Sequence, residues 1–231
     1  MKSHKVVTQD EWLVARKQLL AKEKEFTRLR DKLSAERRDL PWVKIEKDYC
    51  FDGEKGKQNL ADLFGDKSQL MIYHFMLGPD WDEGCPSCSF WADNFEGIDI
   101  HLAHRDIAFL AVSRGGYEKL AAYKKRMGWS FNWVSSRNSD FNHDMGVSFS
   151  SKENEDTEIT YNYRKQPYFM DELPGVSVFF KNDKDEIFHT YSTYSRGVDI
   201  LNGAYNYIDL APKGRDEKDG IMNWLRRHDQ Y

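Results

Sequence analysis

The residues best equipped for chemistry in this sequence are Cys85 and Cys88, set three apart in the string Gly84-Cys-Pro-Ser-Cys. The run before them, Leu70 to Leu77, is apolar and of strand length, and Gly78-Pro79 turns it. The run after them reads as a helix. A strand, a turn and a C-x-x-C at a helix start is the arrangement of a redox dithiol in a βαβ setting. A helix N-terminus carries unpaired N–H groups and the positive end of the dipole, which favour a thiolate. There a cysteine pKa of about 8.5 can fall to roughly 3.5–7.5. Pro86 suits the first helical position, where a missing N–H costs nothing. Cys85 is then the expected nucleophile, and Cys88, one turn on and more buried, the resolving thiol. Three other readings stay open: half of a zinc site completed by His74 and His101, a structural disulfide, and an inert relic of a redox fold.

Bulk composition narrows the classes. Of 231 residues, 40% are hydrophobic and 31% charged, as in globular proteins. A formal net charge of −4 does not call for nucleic acid or a membrane surface. No stretch reaches the roughly 18 apolar residues of a membrane span, and the first residues lack a signal-peptide core. Three cysteines in such a chain fit a reducing cytoplasm, where C-x-x-C is catalytic more often than structural. Aromatic residues make up 14%, with seven tryptophans, which implies either a bulky core or an aromatic-walled cleft.

The elements that must position the dithiol follow in order. Thr8-x-x-Glu11 is a capping box, and the helical pattern it opens runs to about Asp39 before Pro41 stops it. Trp12, Leu19, Phe26, Leu33 and Leu40 recur every seven residues along this rod of roughly 45 Å. The stripe must lie on the chain's own domain or on a second subunit, which makes a homodimer one expectation. Residues 1–47 carry 13 Lys and Arg against 8 Asp and Glu, leaving 21 against 30 for the rest, so arm and body have opposite sign. We divide the chain into a helical arm, 1–41, and a body, 42–231.

In the body, Val43 to Phe51 alternates into an Asp52-Gly53 hairpin, and Asn59 to Phe64 is a short helix. The cysteine helix draws an apolar face from Phe90, Trp91, Phe95, Ile98 and Leu102. Ile107 to Val112 is an unbroken apolar run, as a strand buried on both faces should be. Tyr117 to Met127 is helical, Phe131 to Ser136 a strand. Residues 148–172 are irregular, with Glu153, Glu155, Asp156 and Glu158 clustered before several aromatics, and read as an inserted flap. Val176 to Phe180 and Glu186 to Tyr194 pair as an antiparallel hairpin, and Val198 to Leu210 is a last helix. Strands alternating with helices imply an α/β fold with a parallel or mixed central sheet.

That element order resembles the thioredoxin superfamily. More narrowly, Gly84-Cys-Pro-Ser-Cys, Pro174-Gly-Val-Ser-Val-Phe, Phe188-His-Thr-Tyr-Ser-Thr-Tyr-Ser-Arg-Gly and Ala211-Pro-Lys-Gly-Arg-Asp-Glu are similar to a bacterial family of predicted dithiol–disulfide oxidoreductases. The resemblance implies a thioredoxin-like fold, a central mixed sheet flanked by helices, here with a long N-terminal helical arm. It implies catalytic Cys85 and Cys88, and a substrate-binding set of Trp81, Pro86, Ser87, Val176 and Ser177. It implies no bound cofactor, and as partner a disulfide-containing protein or a small thiol. Thioredoxin-like enzymes place a cis-proline beside the dithiol, and the matching position is Ser177, where a trans bond is expected because a non-proline cis bond costs about 3–4 kcal/mol. The peroxiredoxin pattern is broken: Pro79 stands one residue too close to Cys85, and Asp82 occupies the place of the activating hydroxyl. Thiol peroxidase is therefore the second reading, and a non-catalytic interaction protein the third. Among single residues, Cys50 is expected as a buried thiol, His74 and His189 as satisfied core histidines, Trp91 as packing, and Arg196 in a surface ion pair.

Overall fold

The computed structural model describes residues 4–150 and 158–231 and resolves into two compact units, Met1–Pro41 and Trp42–Tyr231. The first is one helix, α1 (Gln9–Arg38). Its capping box forms as the sequence implies: the Glu11 N–H donates to the Thr8 hydroxyl at 3.3 Å, and the Glu11 carboxylate accepts the Thr8 N–H at 3.0 Å. Among the described residues of this unit nothing covers the apolar stripe, Trp12 being 50% and Phe26 65% exposed.

The second unit is an α/β body of thioredoxin-like fold. Its strands are β1 (Val43–Lys44), β2 (Cys50–Gly53), β3 (Gly56–Asn59), β4 (Gln69–His74), β5 (Ile107–Ser113) and β6 (Asn132–Ser135). After these come β7 (Glu158–Tyr161), β8 (Arg164–Pro167), β9 (Gly175–Lys181) and β10 (Ile187–Tyr194). Eight of them make one mixed sheet in the order β1-β10-β9-β4-β5-β6-β2-β3. Strand β4 lies at its centre, parallel to β5 and antiparallel to β9, with His74 opposite Val112 on one side and Gly175 on the other. The unbroken apolar character of β4 and β5 follows from this position, since both sheet faces are covered.

One face carries an aromatic core in which Phe75, Phe95, Tyr123, Trp129, Phe131 and Trp133 meet. The other is built on Phe51, Phe64, Leu70, Ile72, Phe141 and Phe179. Trp91, Trp129 and Trp133 are buried, so much of the tryptophan content serves the core.

The helices are α2 (Pro86–Ala92), α3 (Ile98–His104), α4 (Tyr117–Met127), α5 (Phe141–Asp144) and α6 (Gly203–Leu210). Three differences from the sequence reading have local causes. The cysteine helix does not run on to Leu102: it stops at Ala92, and Gly97, at φ 78°, starts α3 separately. The last helix is broken because Asn202 caps α6, its side-chain oxygen accepting the Tyr205 N–H at 3.0 Å, while Ser195–Leu201 winds as a 3₁₀ helix. The inserted stretch contains a β7–β8 hairpin whose turn residues Asn162 and Tyr163 both have positive φ. The acidic cluster at Glu153, Glu155 and Asp156 lies outside the described residues.

Candidate functional site

The dithiol stands where β4 runs out. Past His74 the chain keeps its strand-like course for a few buried residues, the Phe75 N–H reaching Val112 O at 2.9 Å. It then loops through 78–84 and returns so that the Cys85 N–H donates to Met76 O at 3.0 Å. Gly84 allows this return: a Cβ there would lie 2.7 Å from the Tyr123 ring and 2.8 Å from that of Phe75. Cys85 is the residue before α2 and Pro86 the first residue within it, where a missing N–H leaves no helical hydrogen bond unmade.

The two thiols differ sharply. Cys85 is partly exposed, whereas Cys88 is only 1% exposed. Burial pushes the Cys88 thiol up, which keeps it protonated and able to donate to Cys85. That donation is the largest influence on Cys85, whose pKa is drawn down to about 6. Burial opposes the shift, and the N–H groups of Cys88 and Ser87 and the Ser87 hydroxyl support it. The Cys88 sulfur in turn accepts the Met76 N–H at 3.4 Å and hydrogen-bonds the buried Tyr73 hydroxyl. Neither Tyr73 nor Met76 was expected at the site.

Both cysteines and Ser87 line a cleft of about 370 Å³. Tyr73, Met76 and Trp91 lie beside them, Phe169, Met170, Leu173 and Pro174 form one wall, and Ile221 and Met222 another. The hairpin of the insertion fixes this shape: Tyr161 donates through its hydroxyl to Pro174 O at 2.7 Å and accepts the Ser195 N–H at 3.0 Å.

Of the other expected substrate contacts, the structure brings few to the cleft. Val176 is buried in the aromatic core. Ser177 does not stand beside the dithiol: it lies inside β9, wholly buried, bonded to His74 Nε2 at 2.9 Å and to the Ser192 hydroxyl at 2.8 Å. Pro174, three residues earlier, is the one beside the cysteines. The bond before Ser177 is trans. Trp81 covers Gly78 and lines a separate hollow with Arg114 and Glu172. There burial pushes the Glu172 carboxyl up to about 7, against the pull of Ser148 and Arg114, which approaches at 3.0 Å.

Among single residues, Cys50 is exposed at the edge of β2, contrary to the expectation of a buried thiol. His74 is buried and neutral, its pKa lowered to about 3 by burial. His189 bonds the Ser192 hydroxyl at 2.7 Å. Trp91 packs in the core and donates to Val198 O at 2.9 Å, and Arg196 makes a surface pair with Asp199 at 3.2 Å. Asp82 is exposed. Among the described residues no three His, Cys, Asp or Glu side chains gather as a metal site, and no helix is long and apolar enough to cross a membrane.

Among solved structures the chain is similar to the peroxidoxin BcpB from Mycobacterium tuberculosis, at 12% identity and TM-score 0.47, over 72% of this chain and 96% of that one. It is similar to Xanthomonas campestris peroxiredoxin Q, at 14% identity and TM-score 0.46, over 74% and 91%. No curated protein matches it. The whole sequence, residues 1–231, matches one family, and the chain therefore belongs to the bacterial proteins of unknown function designated DUF899.

Proposed function

We propose that this protein is a thiol–disulfide oxidoreductase whose nucleophile is Cys85 and whose resolving thiol is Cys88. The carrying observation is the asymmetry of the pair: a cleft-facing thiol at about 6 beside a buried, protonated one that donates to it. At neutral pH such a thiol is about nine-tenths thiolate, against a few per cent for an ordinary cysteine. The Cys85 thiolate attacks one sulfur of a substrate disulfide, forming a mixed disulfide and releasing the first thiolate. Cys88 then loses its proton and attacks the Cys85 sulfur. A Cys85–Cys88 disulfide forms, the second substrate sulfur leaves with the bonding electrons, and the released thiolates are protonated from solvent. The protein is oxidised by two electrons and the substrate reduced by two.

The residue at the peroxiredoxin hydroxyl position is Asp82, whose side chain has no alcohol hydroxyl to offer, and this favours disulfide over peroxide as substrate. The test is reaction of the reduced protein with 4,4′-dithiodipyridine, in a Cys50→Ser background because Cys50 is an exposed thiol. In that background two successive releases of the pyridine thione are expected, the first lost in Cys85→Ser and the second in Cys88→Ser. A hydrogen peroxide turnover exceeding disulfide turnover, and dependent on Cys85, would replace this reading with a peroxidase.

A further inference from the structure

The wall of the cleft formed by Ile221 and Met222 belongs to the C-terminal segment that follows α6, whose only regular piece is the 3₁₀ turn His228–Gln230. No strand ladder fastens it. Side chains do, and their anchor points converge on the loop and helix that carry Cys85. Leu225 is buried, and Trp224 sits edge-on against Phe90 of α2 at 5.7 Å. Glu217 holds the start of the segment, accepting the Met222 N–H at 3.0 Å and the Tyr205 hydroxyl at 2.7 Å.

Arg227 is the central fastener. Its guanidinium donates to Gly84 O at 2.8 and 3.1 Å and to the Tyr123 hydroxyl at 2.9 Å, and it pairs with Glu83 at 2.9 Å. Tyr123 meets the Ser89 hydroxyl at 3.0 Å, which donates to Cys85 O at 2.9 Å. Both carbonyls flanking the nucleophile's backbone, Gly84 O and Cys85 O, are thereby held in one network that ends in the C-terminal segment. His228, at 2.7 Å from Asp93, and Asp229, at 2.7 Å from Arg126, fasten the same stretch to α2's end and to α4.

Met222 is therefore held at its own N–H by Glu217, and the segment that carries it is tied to the backbone of the Cys85 loop by Arg227. A substrate that does not fit between the Ile221–Met222 wall and the Phe169–Met170 wall must break charge-assisted hydrogen bonds to reach the sulfur. What fits is apolar: the walls offer thioethers, aliphatic groups and an aromatic ring, and the rim charges Arg196 and Asp199 are already paired with each other.

We propose that the segment 221–229 is the specificity wall of the dithiol cleft, with Arg227 as its positioning residue, and that it restricts Cys85 to small disulfides bearing apolar substituents. This rests on the thiol–disulfide reading above. Oxidised glutathione, with its charged groups, and disulfides within folded proteins are disfavoured substrates.

The test compares three oxidants on the full-length chain carrying Cys50→Ser, which removes the exposed thiol: 4,4′-dithiodipyridine as the small neutral disulfide, oxidised glutathione, and insulin. Met222→Lys places a charge in the apolar wall and is expected to lower the rate with dithiodipyridine relative to glutathione by about tenfold or more, the usual effect of losing one well-packed apolar contact. Arg227→Ala is expected to raise the insulin-to-dithiodipyridine rate ratio by about tenfold or more, as loss of a hydrogen bond to a charged group would. Unmoved ratios in Met222→Lys overturn the wall, whatever Arg227→Ala does to folding. In Arg227→Ala that folds, rates that fall equally for all three oxidants overturn its positioning role. Oxidation of the reduced chain by all three that survives Cys85→Ser instead defeats the thiol–disulfide reading itself.

Discussion

Replacing Cys88 by alanine removes the donor that most strongly lowers the Cys85 pKa, and the consequence can be worked out. The N–H groups of Ser87 and Cys88 and the Ser87 hydroxyl remain after the change. A hydrogen bond to a charged acceptor contributes roughly 1.5–3 kcal/mol. At about 1.4 kcal/mol per unit, that is about one to two pKa units. The Cys85 midpoint, at about 6 in the native protein, should rise to between about 7 and 8. The thiolate share at neutral pH then drops from about nine-tenths to between about one-half and one-tenth. Cys88→Ser keeps a hydroxyl donor in the same place, so its midpoint should fall between those of the native protein and Cys88→Ala. The assay is the rate of iodoacetamide alkylation of Cys85 against pH, in a Cys50→Ser background because Cys50 is exposed. A midpoint that stays near its native value in Cys88→Ala would refute the reasoning, because the lowering would then come from elsewhere.

Three further outcomes are expected. Tyr73→Phe removes a hydroxyl from the Cys88 sulfur, so in the Cys50→Ser background the second release from 4,4′-dithiodipyridine should slow by about tenfold or more while the first changes little; equal slowing of both would count against it. Stability should fall on acidification below pH 6.5, because the unfolded chain protonates His74 whereas the folded protein, with His74 at about 3, does not. The slope is about 1.4 kcal/mol per pH unit, or roughly 2 kcal/mol by pH 5, with His189 acting in the same direction; urea unfolding in which His74→Leu leaves that slope unchanged would reject the assignment. The exposed stripe of α1 should pair two copies of the chain, so sedimentation should show a dimer that Phe26→Lys dissociates, and a native monomer at micromolar concentration would rule the pairing out.

Much of the fold was legible because it is written in local patterns. The Thr8/Glu11 box, the apolar runs of β4 and β5 and the Tyr117–Met127 helix each declare themselves within a few residues. The dithiol was legible for the same reason, since C-x-x-C after a strand needs no distant partner to be recognised. What surrounds it was not. Arg227 lies 143 residues from the carbonyl it holds, and nothing near it in sequence marks it for that role. A short pattern matches Ser177 to the cis-proline position beside the dithiol, but the register of β9 against β4 puts Gly175 opposite His74 and Ser177 inside the strand. Cys50 alternates correctly along β2, but it falls on the outward side. Phe169 and Met170 stood in a stretch recognisable only as irregular, and the Tyr161 bonds that shape the cleft there depend on Pro174 and Ser195, both distant in sequence.

The central claim is that Cys85 and Cys88 act as one two-electron couple. It is tested most directly by equilibrating the protein in buffers of graded thiol–disulfide potential and counting alkylated cysteines by mass. Cys85 and Cys88 are expected to lose reactivity together in a single transition, tenfold per roughly 30 mV, with Cys50 unaffected. Both cysteines staying reduced across the whole range, or Cys85 alone becoming blocked while Cys88 remains free, would contradict it.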